Sequence, residues 1–392
     1  MTAVQVVILF FSALSAAFWI WEIYVVLRTL HTMPLVEKLP ESPIKNPPKI
    51  SVLIPACNEK ETLGKAMELR LQDNYPNLEF ILIDDRSNDG TREVAREIAA
   101  RDKRVKLVCI DELPDGWLGK IHALYQGLKH ASGDWLLLSD ADVHVKPGTL
   151  NRVMNYCLSE NLDHLAVVPE FYKTNFFMDT ALTVFLKALV VMSRSWKIKD
   201  KNSRAFGGAG AFTMVKRTAL EKTKGFEWLK LEVVDDLTLG QMVKRSSGNS
   251  DMINGRGYVG VQWYRTFAEM AIGMGRAMVV GSGNLNFIQL FAVGLLGFIL
   301  DMMPYIILVP MGVPYLPLAG AVLSLLTFLA AILVNRLIGL PLVSAFFLPL
   351  GNILMFFIGL WAGITASIKR GIVWRGKFYS RKELKKGRRF SF

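Results

Sequence analysis

The chain contains few cysteines and fewer acidic than basic residues. Cys57, Cys109 and Cys157 are the three cysteines among 392 residues, and they are far apart. An odd, scattered set fits a reducing compartment and excludes a disulfide framework or a cysteine zinc site. The 34 acidic residues are outnumbered by 46 basic ones, which gives a formal net charge of +12. Nucleic-acid binding is one explanation of that charge, so the distribution of the basic residues has to be considered.

Charge is nearly absent from two long segments near the ends of the chain. Residues 2–27 contain one charged residue, Glu22, and residues 284–368 contain only Asp301 and Arg336. Both are long enough to cross a bilayer, which takes about 20 apolar residues. The first segment lacks the basic start of a signal peptide and is predicted to be a retained anchor. Crossings near 285–309 and 315–334 are predicted, and 337–368 is predicted to be a kinked, re-entrant or interfacial helical pair.

Many of the basic residues follow the last apolar segment, between Lys369 and Arg389. A basic segment next to a membrane helix predicts contact with anionic lipid and marks the cytoplasmic side. We therefore expect a multi-pass protein of the cell (inner) membrane whose middle domain is cytoplasmic. The expected partners include the lipid bilayer but no nucleic acid, and the pattern does not indicate an oligomeric state.

Strands and helices alternate through the middle of the chain, with a new strand about every 30 residues. This alternation predicts βαβ units, and hence a parallel sheet with helices on both faces. Residues 176–196 are apolar but carry three charges, which favours a helix at the membrane surface or in the core over a span. Residues 262–281 are predicted to form an interfacial helix. The predicted strands are Ile50–Pro55, Leu78–Asp84, Val105–Ile110, Asp134–Asp140 and Leu165–Pro169.

Two carboxylates follow the fourth predicted strand, in the segment Ser139-Asp140-Ala141-Asp142. In α/β sheets the carboxyl ends of the strands open onto the ligand-binding cleft. Two acids there repel each other unless a cation lies between them, and oxygen ligands suit Mg²⁺ or Mn²⁺, which bridge diphosphates. Taken alone, such a pair is more often a turn with solvated acids.

Further polar segments follow the other predicted strands. Each has a structural explanation on its own, as a helix cap or a turn, but their order along successive strands favours a single cleft. The pair Asp235-Asp236 is either a helix N-terminus or the site of a general base. The glycine-rich segment 206–212 is either a flexible loop, a close packing contact or a place where backbone approaches a ligand. The other segments are Pro55–Glu59, Asp84–Thr91 and Gly116–Lys120.

Together these motifs resemble those of family 2 glycosyltransferases over residues 50 to about 283. The resemblance implies an α/β GT-A (nucleotide-diphospho-sugar transferase) domain with helical transmembrane segments at both ends. The anchor, the C-terminal membrane helices and the segment Gly116–Lys120 are similar to lipid glycosyltransferases of the hopanoid-associated and carotenoid-acid groups. Ceramide glucosyltransferases are more distant. The matching motifs are P-A-x-N-E at Pro55–Glu59, D-D-x-S-x-D-x-T at Asp84–Thr91, G-K at Gly119-Lys120, D-x-D at Asp140–Asp142 and the acidic pair Asp235-Asp236.

The resemblance also implies a role for each matching residue. Lys120 would approach the diphosphate, and Asp236 would be the catalytic base. Gln262 and Arg265 match the first and fourth positions of a Q-x-x-R-W motif, in which Thr266 replaces the tryptophan. The implied nucleoside ligands are Pro55, Glu59 and Asp85, and the implied ligands of Mg²⁺ or Mn²⁺ are Asp142 and Asp140, of which Asp140 also contacts the nucleotide and the sugar.

The function implied is metal-dependent, inverting transfer of a sugar, glucose or a related hexose, from a UDP-sugar to a membrane lipid acceptor. A processive polysaccharide synthase is the first alternative, and Thr266 and the small number of spans disfavour it. A non-catalytic membrane scaffold with a degenerate transferase domain is the second, and the intact acidic set disfavours it. The predicted domains are an anchor (1–30), a linker (31–49), a cytoplasmic GT-A domain (50–261), an interfacial helix (262–283), transmembrane or re-entrant helices (284–368) and a basic tail (369–392).

Overall fold

The computed structural model of the chain describes residues 2–281 and 285–389. The predicted domain boundary between residues 283 and 284 lies outside the described residues. The chain forms two compact units, each assembled from three segments. We call them the helical unit (Met1–Thr32, Tyr172–Arg194 and Trp263–Ile372) and the sheet unit (Met33–Phe171, Ser195–Gln262 and Val373–Phe392).

The strands lie mostly in the sheet unit and share a high content of buried aliphatic residues. In chain order they are β1 (Ile50–Ala56), β2 (Leu78–Asp85), β3 (Val105–Ile110), β4 (Trp135–Leu138), β5 (His144–Val145), β6 (His164–Val168), β7 (Glu170–Phe171), β8 (Thr213–Lys216), β9 (Ser250–Asn254), β10 (Val259–Val261), β11 (Gly371–Trp374) and β12 (Lys377–Ser380).

The helices are distributed over both units. In chain order they are α1 (Ala3–Thr32), α2 (Lys60–Leu71), α3 (Thr91–Arg101), α4 (Gly119–His130), α5 (Thr149–Ser159), α6 (Phe176–Ser193), α7 (Arg217–Glu221), α8 (Gly225–Trp228), α9 (Asp235–Arg245), α10 (Phe267–Val280), α11 (Phe287–Ile306), α12 (Leu316–Ile338), α13 (Leu342–Ala345), α14 (Leu348–Lys369) and α15 (Arg381–Gly387), with single 3₁₀ turns at Val36–Lys38 and Ser195–Lys197.

The main sheet has seven strands in the order β3-β2-β1-β4-β8-β6-β9. Strand β1 lies between β2 and β4 and pairs parallel to both. The five strands predicted from the sequence are confirmed as β1, β2, β3, β4 and β6, each within two residues of its predicted ends. The prediction of an all-parallel sheet is wrong at β8, which runs antiparallel to β4 and to β6. Strand β8 enters the sheet from the glycine-rich segment 206–212 and not from a crossover helix, so the parallel rule for βαβ units does not apply to it.

The C-terminal basic segment is a folded part of the sheet unit. Strands β11 and β12 form a hairpin, and α15 begins with a capping box in which the side chains of Ser380 and Glu383 each bond to the other's backbone amide. The Tyr379 hydroxyl donates to the Trp117 carbonyl at 2.9 Å. Some of residues 369–392 therefore contact the sheet unit, and only the others are available for the predicted contact with lipid.

In the helical unit, α1, α6, α11, α12 and α14 are long and apolar enough to cross a membrane. The predicted spans near 285–309 and 315–334 correspond to α11 and α12. Residues 337–368 contain a break between α12 and α13, and then the single long helix α14.

Helix α6 connects two parts of one sheet. It follows β7, and the chain then returns to the sheet unit, where β8 and β9 pair with β6. Both ends of α6 therefore lie on the same side of any membrane. For this reason α6 by itself cannot be a single transmembrane crossing. This connectivity agrees with the prediction of a helix at the membrane surface or in the core.

A buried ionic cluster lies inside the helical unit. The Lys187 Nζ atom is 2.7 Å from Glu22 Oε2 and 3.3 Å from Asp301 Oδ1. The side chains of Lys187, Glu22 and Asp301 are 2%, 3% and 14% exposed. Buried charges persist only when they are paired, so the isolated acid of the last apolar segment has its partner on α6.

Candidate active site

The two acids after β4 lie at the carboxyl end of the sheet, against the glycine-rich segment. The Asp140 amide donates to the Gly210 carbonyl at 3.2 Å, and the Ser139 hydroxyl donates to the Ala211 carbonyl at 2.7 Å. The D-x-D segment therefore leaves β4 along the backbone of residues 210 and 211. This holds Asp140 at the edge of the sheet, where an α/β fold opens onto its ligand cleft.

Lys120 is a cation surrounded by carboxylates. Its Nζ atom lies 2.7 Å from Asp140 Oδ1 and 3.6 Å from Asp235 Oδ2. Burial lowers the pKa of Lys120, but the charges of Asp140, Asp235 and Asp236 outweigh burial and raise it above its usual value. Lys120 is therefore protonated at neutral pH. The structure brings together three residues that are separated in sequence, as a single cleft requires.

The backbone of Gly210 lies directly against this cluster. A Cβ atom at Gly210 would lie 3.0 Å from Asp140 Oδ2 and 3.2 Å from Lys120 Nζ, so a side chain would crowd both groups. The Gly210 amide donates to Asp236 Oδ2 at 2.8 Å. Of the explanations left open for residues 206–212, a close packing contact is observed, because a Cβ atom at Gly208 would meet the Asp236 backbone and one at Gly207 would meet the Met252 side chain. An approach of this backbone to a ligand stays a prediction.

Asp235 and Asp236 lie in the first turn of α9. The Leu237 amide donates to Asp236 Oδ1 at 2.8 Å, so Asp236 is part of a helix N-terminus, one of the two explanations given for this pair. The same carboxylate lines the cavity described below, so it also faces the place where a base would act. Burial, together with the charges of Asp236 and Asp140, raises the pKa of Asp235 to about 7, although the Lys120 charge opposes this shift.

Asp142 has an unusual electrostatic environment. Burial, together with repulsion by Asp140 and Glu59, raises the pKa of its carboxyl to about 7. Arg70 lies behind it and opposes this shift. A cation next to Asp142 would remove the repulsion, so the site is arranged to attract positive charge.

Arg70 is a site residue that the sequence analysis missed. Its side chain is buried, and its Nη2 atom donates to the Asp140 carbonyl at 2.6 Å and to Ser139 Oγ at 3.0 Å. Burial lowers its pKa to about 10, against the charges of Asp142 and Asp140. A signal was available, because Arg70 continues the buried stripe of α2 that begins at Leu63. A charged residue on an apolar helix face has a buried partner in most cases.

The predicted nucleoside residues have different environments. Asp85 is buried and forms a two-fold ion pair with Arg86, with N–O distances of 2.7 and 3.0 Å. Glu59 is half-buried, and its Oε2 atom accepts from the Thr62 hydroxyl at 2.9 Å. A nucleoside base that binds Asp85 would therefore share this carboxylate with Arg86. The Glu59 carboxylate, in contrast, can still accept further hydrogen bonds.

A small cavity with an opening to solvent lies beside the cluster. It brings three of the predicted site residues together in one lining, namely Pro55, Lys120 and Asp236, with Gly210 and Asp235 next to them. Its remaining wall is mostly apolar and includes Ile121, Leu124, Leu138, Phe226, Leu229 and Leu239.

Gln262 and Arg265 fall in different units. Gln262 is exposed directly after β10 in the sheet unit. Arg265 belongs to the helical unit, where its backbone amide donates to Glu269 Oε2 at 3.1 Å just before α10. Donor binding by both residues, which the match to the Q-x-x-R-W motif implies, stays a prediction.

The residues present can coordinate a divalent cation only if a bound substrate supplies further oxygen ligands. Among residues 2–281 and 285–389, no three His, Cys, Asp or Glu side chains are grouped so that they could hold a metal ion. Asp140 and Asp142 supply two carboxylates, and repulsion between them is already visible in the raised pKa of Asp142. Mg²⁺ typically binds one or two carboxylates plus substrate phosphates and water. This donor set fits such an ion once a diphosphate is bound.

The fold and the site together define the class of the sheet unit, an α/β domain with an acidic cluster at the carboxyl ends of its parallel strands. Residues 51–223 match the family Glycosyl transferase family 2. The chain is also similar to the solved structure of a mannosyltransferase, PcManGT from Pyrobaculum calidifontis, in complex with GDP-Man and Mn²⁺. That likeness has a TM-score of 0.52 at 18% identity and covers 90% of this chain and 98% of the other.

The chain is also similar to curated relatives that carry the name 4,4'-diaponeurosporenoate glycosyltransferase. The one from Staphylococcus haemolyticus (strain JCSC1435) is 26% identical over 237 residues, and the one from Staphylococcus aureus (strain USA300) is 24% identical over 237 residues. Each match covers 60% of this chain and 62% of the relative. The chain thus matches somewhat less than two thirds of the length of these relatives.

These findings confirm the resemblance seen in the motifs. Residues 51–223 match the family 2 glycosyltransferases, and the sheet unit has the GT-A fold. The predicted fold class, a GT-A domain with apolar helices near both ends of the chain, is confirmed.

Proposed function

We propose that the protein is a membrane-bound glycosyltransferase that transfers a hexose from a UDP-sugar to a lipid acceptor. One observation carries the proposal. Lys120 is held between Asp140 and Asp235 at the mouth of a cavity on the carboxyl edge of a GT-A sheet. This arrangement supplies a fixed cation and fixed carboxylates where a nucleotide-sugar diphosphate would bind.

The donor end of the site would use residues from three loops. Pro55 is the last residue but one of β1, Glu59 follows that strand and Asp85 ends β2, and we assign all three to the nucleoside. Lys120 would bind the diphosphate in place of one of its present carboxylate partners. A diphosphate carries more charge than one carboxylate, so the exchange keeps the lysine neutralised.

Asp140 and Asp142 would hold a divalent cation together with the diphosphate oxygens. That ion, when bound, supplies Lewis-acid stabilisation of the leaving diphosphate. Arg70 would keep the D-x-D backbone in place, because its guanidinium bonds to the Asp140 carbonyl. The cation contributed by the chain itself is Lys120, which stabilises negative charge on the leaving group as the sugar bond breaks.

Asp236 would take the proton from an acceptor hydroxyl as the hydroxyl attacks the sugar carbon. The Gly210 and Leu237 amides donate to the two oxygens of this carboxylate, which fixes its orientation. Each oxygen has a further lone pair for the incoming proton. Attack from the face opposite the leaving diphosphate would give inversion at that carbon.

The lipid nature of the acceptor is supported by the long apolar helices α1, α11, α12 and α14, each of which could cross a membrane. It is also supported by relatives named for glycosylation of a carotenoid acid. We further propose that the GT-A domain lies on the cytoplasmic side of the cell membrane, and that the replacement of the Q-x-x-R-W tryptophan by Thr266 reflects single-sugar transfer.

The test is a nucleotide-release assay on the full-length protein in detergent, with Mg²⁺ or Mn²⁺. The donors would be UDP-glucose, UDP-galactose, UDP-N-acetylglucosamine and GDP-mannose, and the acceptors would be extracted membrane lipids. We expect release with a UDP-hexose and a lipid product heavier by one hexose. The GDP-mannose reaction is included because PcManGT was solved with GDP-Man.

A matched pair of variants controls the assay. D142N removes a proposed metal ligand, whereas E97Q removes an exposed carboxylate on α3 that pairs with Arg101. We expect activity to be lost in D142N and unchanged in E97Q. Release only with GDP-mannose would overturn the UDP assignment, and absence of release with every donor would overturn the proposed activity.

A further inference from the structure

The turn of the C-terminal hairpin holds an arginine in an unfavourable conformation. Residues Arg375 and Gly376 form the two-residue connection between β11 and β12, with φ values of 42° and 81°. Hairpin turns with two positive φ angles favour Asn, Asp or Gly at the first position, because other side chains crowd the backbone there. A residue kept in such a conformation suggests that its side chain has a function.

The Arg375 side chain points to the proposed donor site. Its Nη1 atom donates to the Cys57 carbonyl at 2.7 Å, and its Nη2 atom lies 3.8 Å from Glu59 Oε1. The guanidinium also interacts electrostatically with Asp140. It thus lies among residues assigned above to the nucleoside and to the diphosphate, and 45% of its side chain is still exposed.

Several contacts fix the hairpin to the sheet unit independently of Arg375. The Tyr379 hydroxyl bonds to the Trp117 carbonyl, three residues before Lys120. The Lys377 Nζ atom lies 3.1 Å from Asp115 Oδ1. Further along, the Arg389 amide donates to Glu232 Oε2 at 2.6 Å. The chain directly after the turn is therefore anchored at three places, and Arg375 is presented at a defined place.

We propose that Arg375 binds the diphosphate of the nucleotide-sugar donor, so that a residue beyond the last apolar helix completes the donor site. The inference rests on the proposed function, because it needs a nucleoside diphosphate in the cleft. A guanidinium has five N–H donors in a planar fork that matches phosphate oxygens, and the Cys57 carbonyl occupies one of them. The exposed N–H groups of the guanidinium can bind a ligand that enters between Glu59 and Asp140.

The competing explanation is that Arg375 only holds the hairpin to the loop after β1. The two roles make different predictions for nucleosides and nucleoside diphosphates. A phosphate ligand contributes to UDP binding and not to uridine binding. A purely structural contact affects both ligands, through the shape of the loop at Cys57 and Glu59, or affects neither.

The experiment measures UDP, GDP and uridine binding to the full-length protein in detergent with Mn²⁺, by calorimetry, for wild type, R375A and R375K. We expect R375A to raise the Kd for UDP by about 10- to 100-fold, the range for loss of a hydrogen bond to a charged group. The Kd for uridine should change by less than about two-fold, because uridine has no phosphate to lose. R375K should be intermediate, because lysine keeps the charge but loses the fork. K382A, on the exposed face of α15, is the charge control and should match wild type.

The outcomes separate this inference from the proposed function. An unchanged Kd for UDP in R375A, or an equal loss for UDP and uridine, overturns the inference and leaves the proposed function intact. A wild-type protein that binds neither UDP nor GDP overturns both. If R375A does not fold, R375K decides, and UDP binding equal to wild type in that variant overturns the inference.

Discussion

Lys120 and Asp140 form an ion pair of 2.7 Å at the carboxyl edge of the sheet, and the lysine is the cation around which three carboxylates are grouped. Neither residue is adjacent to the other in sequence, and the contact exists only because the start of α4 and the end of β4 meet at one place in the GT-A fold. If Lys120 stabilises the leaving diphosphate, its replacement should affect turnover strongly.

Replacing Lys120 with methionine is expected to lower kcat by about 10²- to 10³-fold, since a preorganised charge at the leaving group is removed. The measurement is nucleotide release at saturating donor. K129M is the matched control, because Lys129 lies on the same helix at the surface, where its Nζ atom bonds to Gln126 and lies over the Tyr125 ring. Turnover of K120M within about two-fold of wild type would contradict the assigned role, since a single lost charge contact of this kind has a larger effect.

The pH dependence of stability should report on Asp142. Its pKa is raised from 3.8 to about 7, so folding disfavours its charged form. The stabilising contribution of the neutral carboxyl is therefore complete below about pH 4 and is lost as the pH rises through about 7. We expect Mn²⁺ with UDP to raise Tm more at pH 8 than at pH 5.5, because the cation relieves the repulsion only when the carboxyl is charged.

Thermal unfolding at the two pH values, with and without Mn²⁺ and UDP, checks this expectation. D142N should reduce both the pH dependence and the effect of Mn²⁺, whereas E93Q, which removes an exposed carboxylate on α3, should reduce neither. A D142N protein with the same pH profile as wild type would show that Asp142 is not the titrating group.

Asp236→Asn tests the proposed base. Loss of a general base typically lowers turnover by about 10²- to 10⁴-fold, and donor binding should be retained because Asp236 would contact the acceptor. Turnover and the Kd for UDP are measured on the same preparation. Sugar transfer that survives in D236N would indicate an acceptor carboxylate, which needs no base, and would reject the version with a hydroxyl acceptor.

The buried cluster of the helical unit should control stability. K187M leaves Glu22 and Asp301 buried without their cation, and breaking such a pair typically costs about 3–5 kcal/mol. We expect a large drop in Tm in detergent. The triple variant E22Q/K187M/D301N removes the remaining charges and should recover much of it. If the triple variant does not recover the lost Tm while K201M, a control on the exposed surface, has a normal Tm, the helical unit requires the charged groups themselves for its stability.

Membrane topology can be tested at the turn between α11 and α12. The Gln5 side chain donates to the Met311 carbonyl at 3.2 Å, so this turn lies at the same end of the helical unit as the start of α1. The chain enters the sheet unit at the other end of α1, which spans 30 residues. We therefore expect Met311 on the opposite side of the membrane from the GT-A domain.

Labelling of M311C with a membrane-impermeant maleimide in intact cells is the measurement, in a C109S background. The control for the other side is the protein that keeps Met311 and the exposed native Cys109, in which Cys109 should react only after permeabilisation. Because the hairpin β11–β12 folds onto the sheet unit, α11, α12 and α14 together must provide an even number of crossings. Labelling of M311C only after permeabilisation would exclude α11 as a crossing.

Much of the site followed from local sequence. The order of Pro55, Asp85, Lys120 and Asp140 after successive strands was enough to predict one cleft, because the carboxyl ends of parallel strands lie at one edge of a sheet. The direction of β8 was not predictable in this way, because it depends on a glycine-rich connection and not on a crossover helix. Arg70 was missed because its partners, Ser139 and the Asp140 carbonyl, are about 70 residues away.

The alternation of strands and helices, the acidic motifs at the strand ends and the apolar segments can be read from the amino-acid sequence, because they depend on residue type and spacing over a few turns of chain. Which charged groups meet is visible only in the folded chain. Asp301 is paired with Lys187 across 114 residues, and Arg375 reaches Cys57 across 318 residues. Contacts at such separations depend on how whole elements pack against one another, and no local pattern encodes that packing.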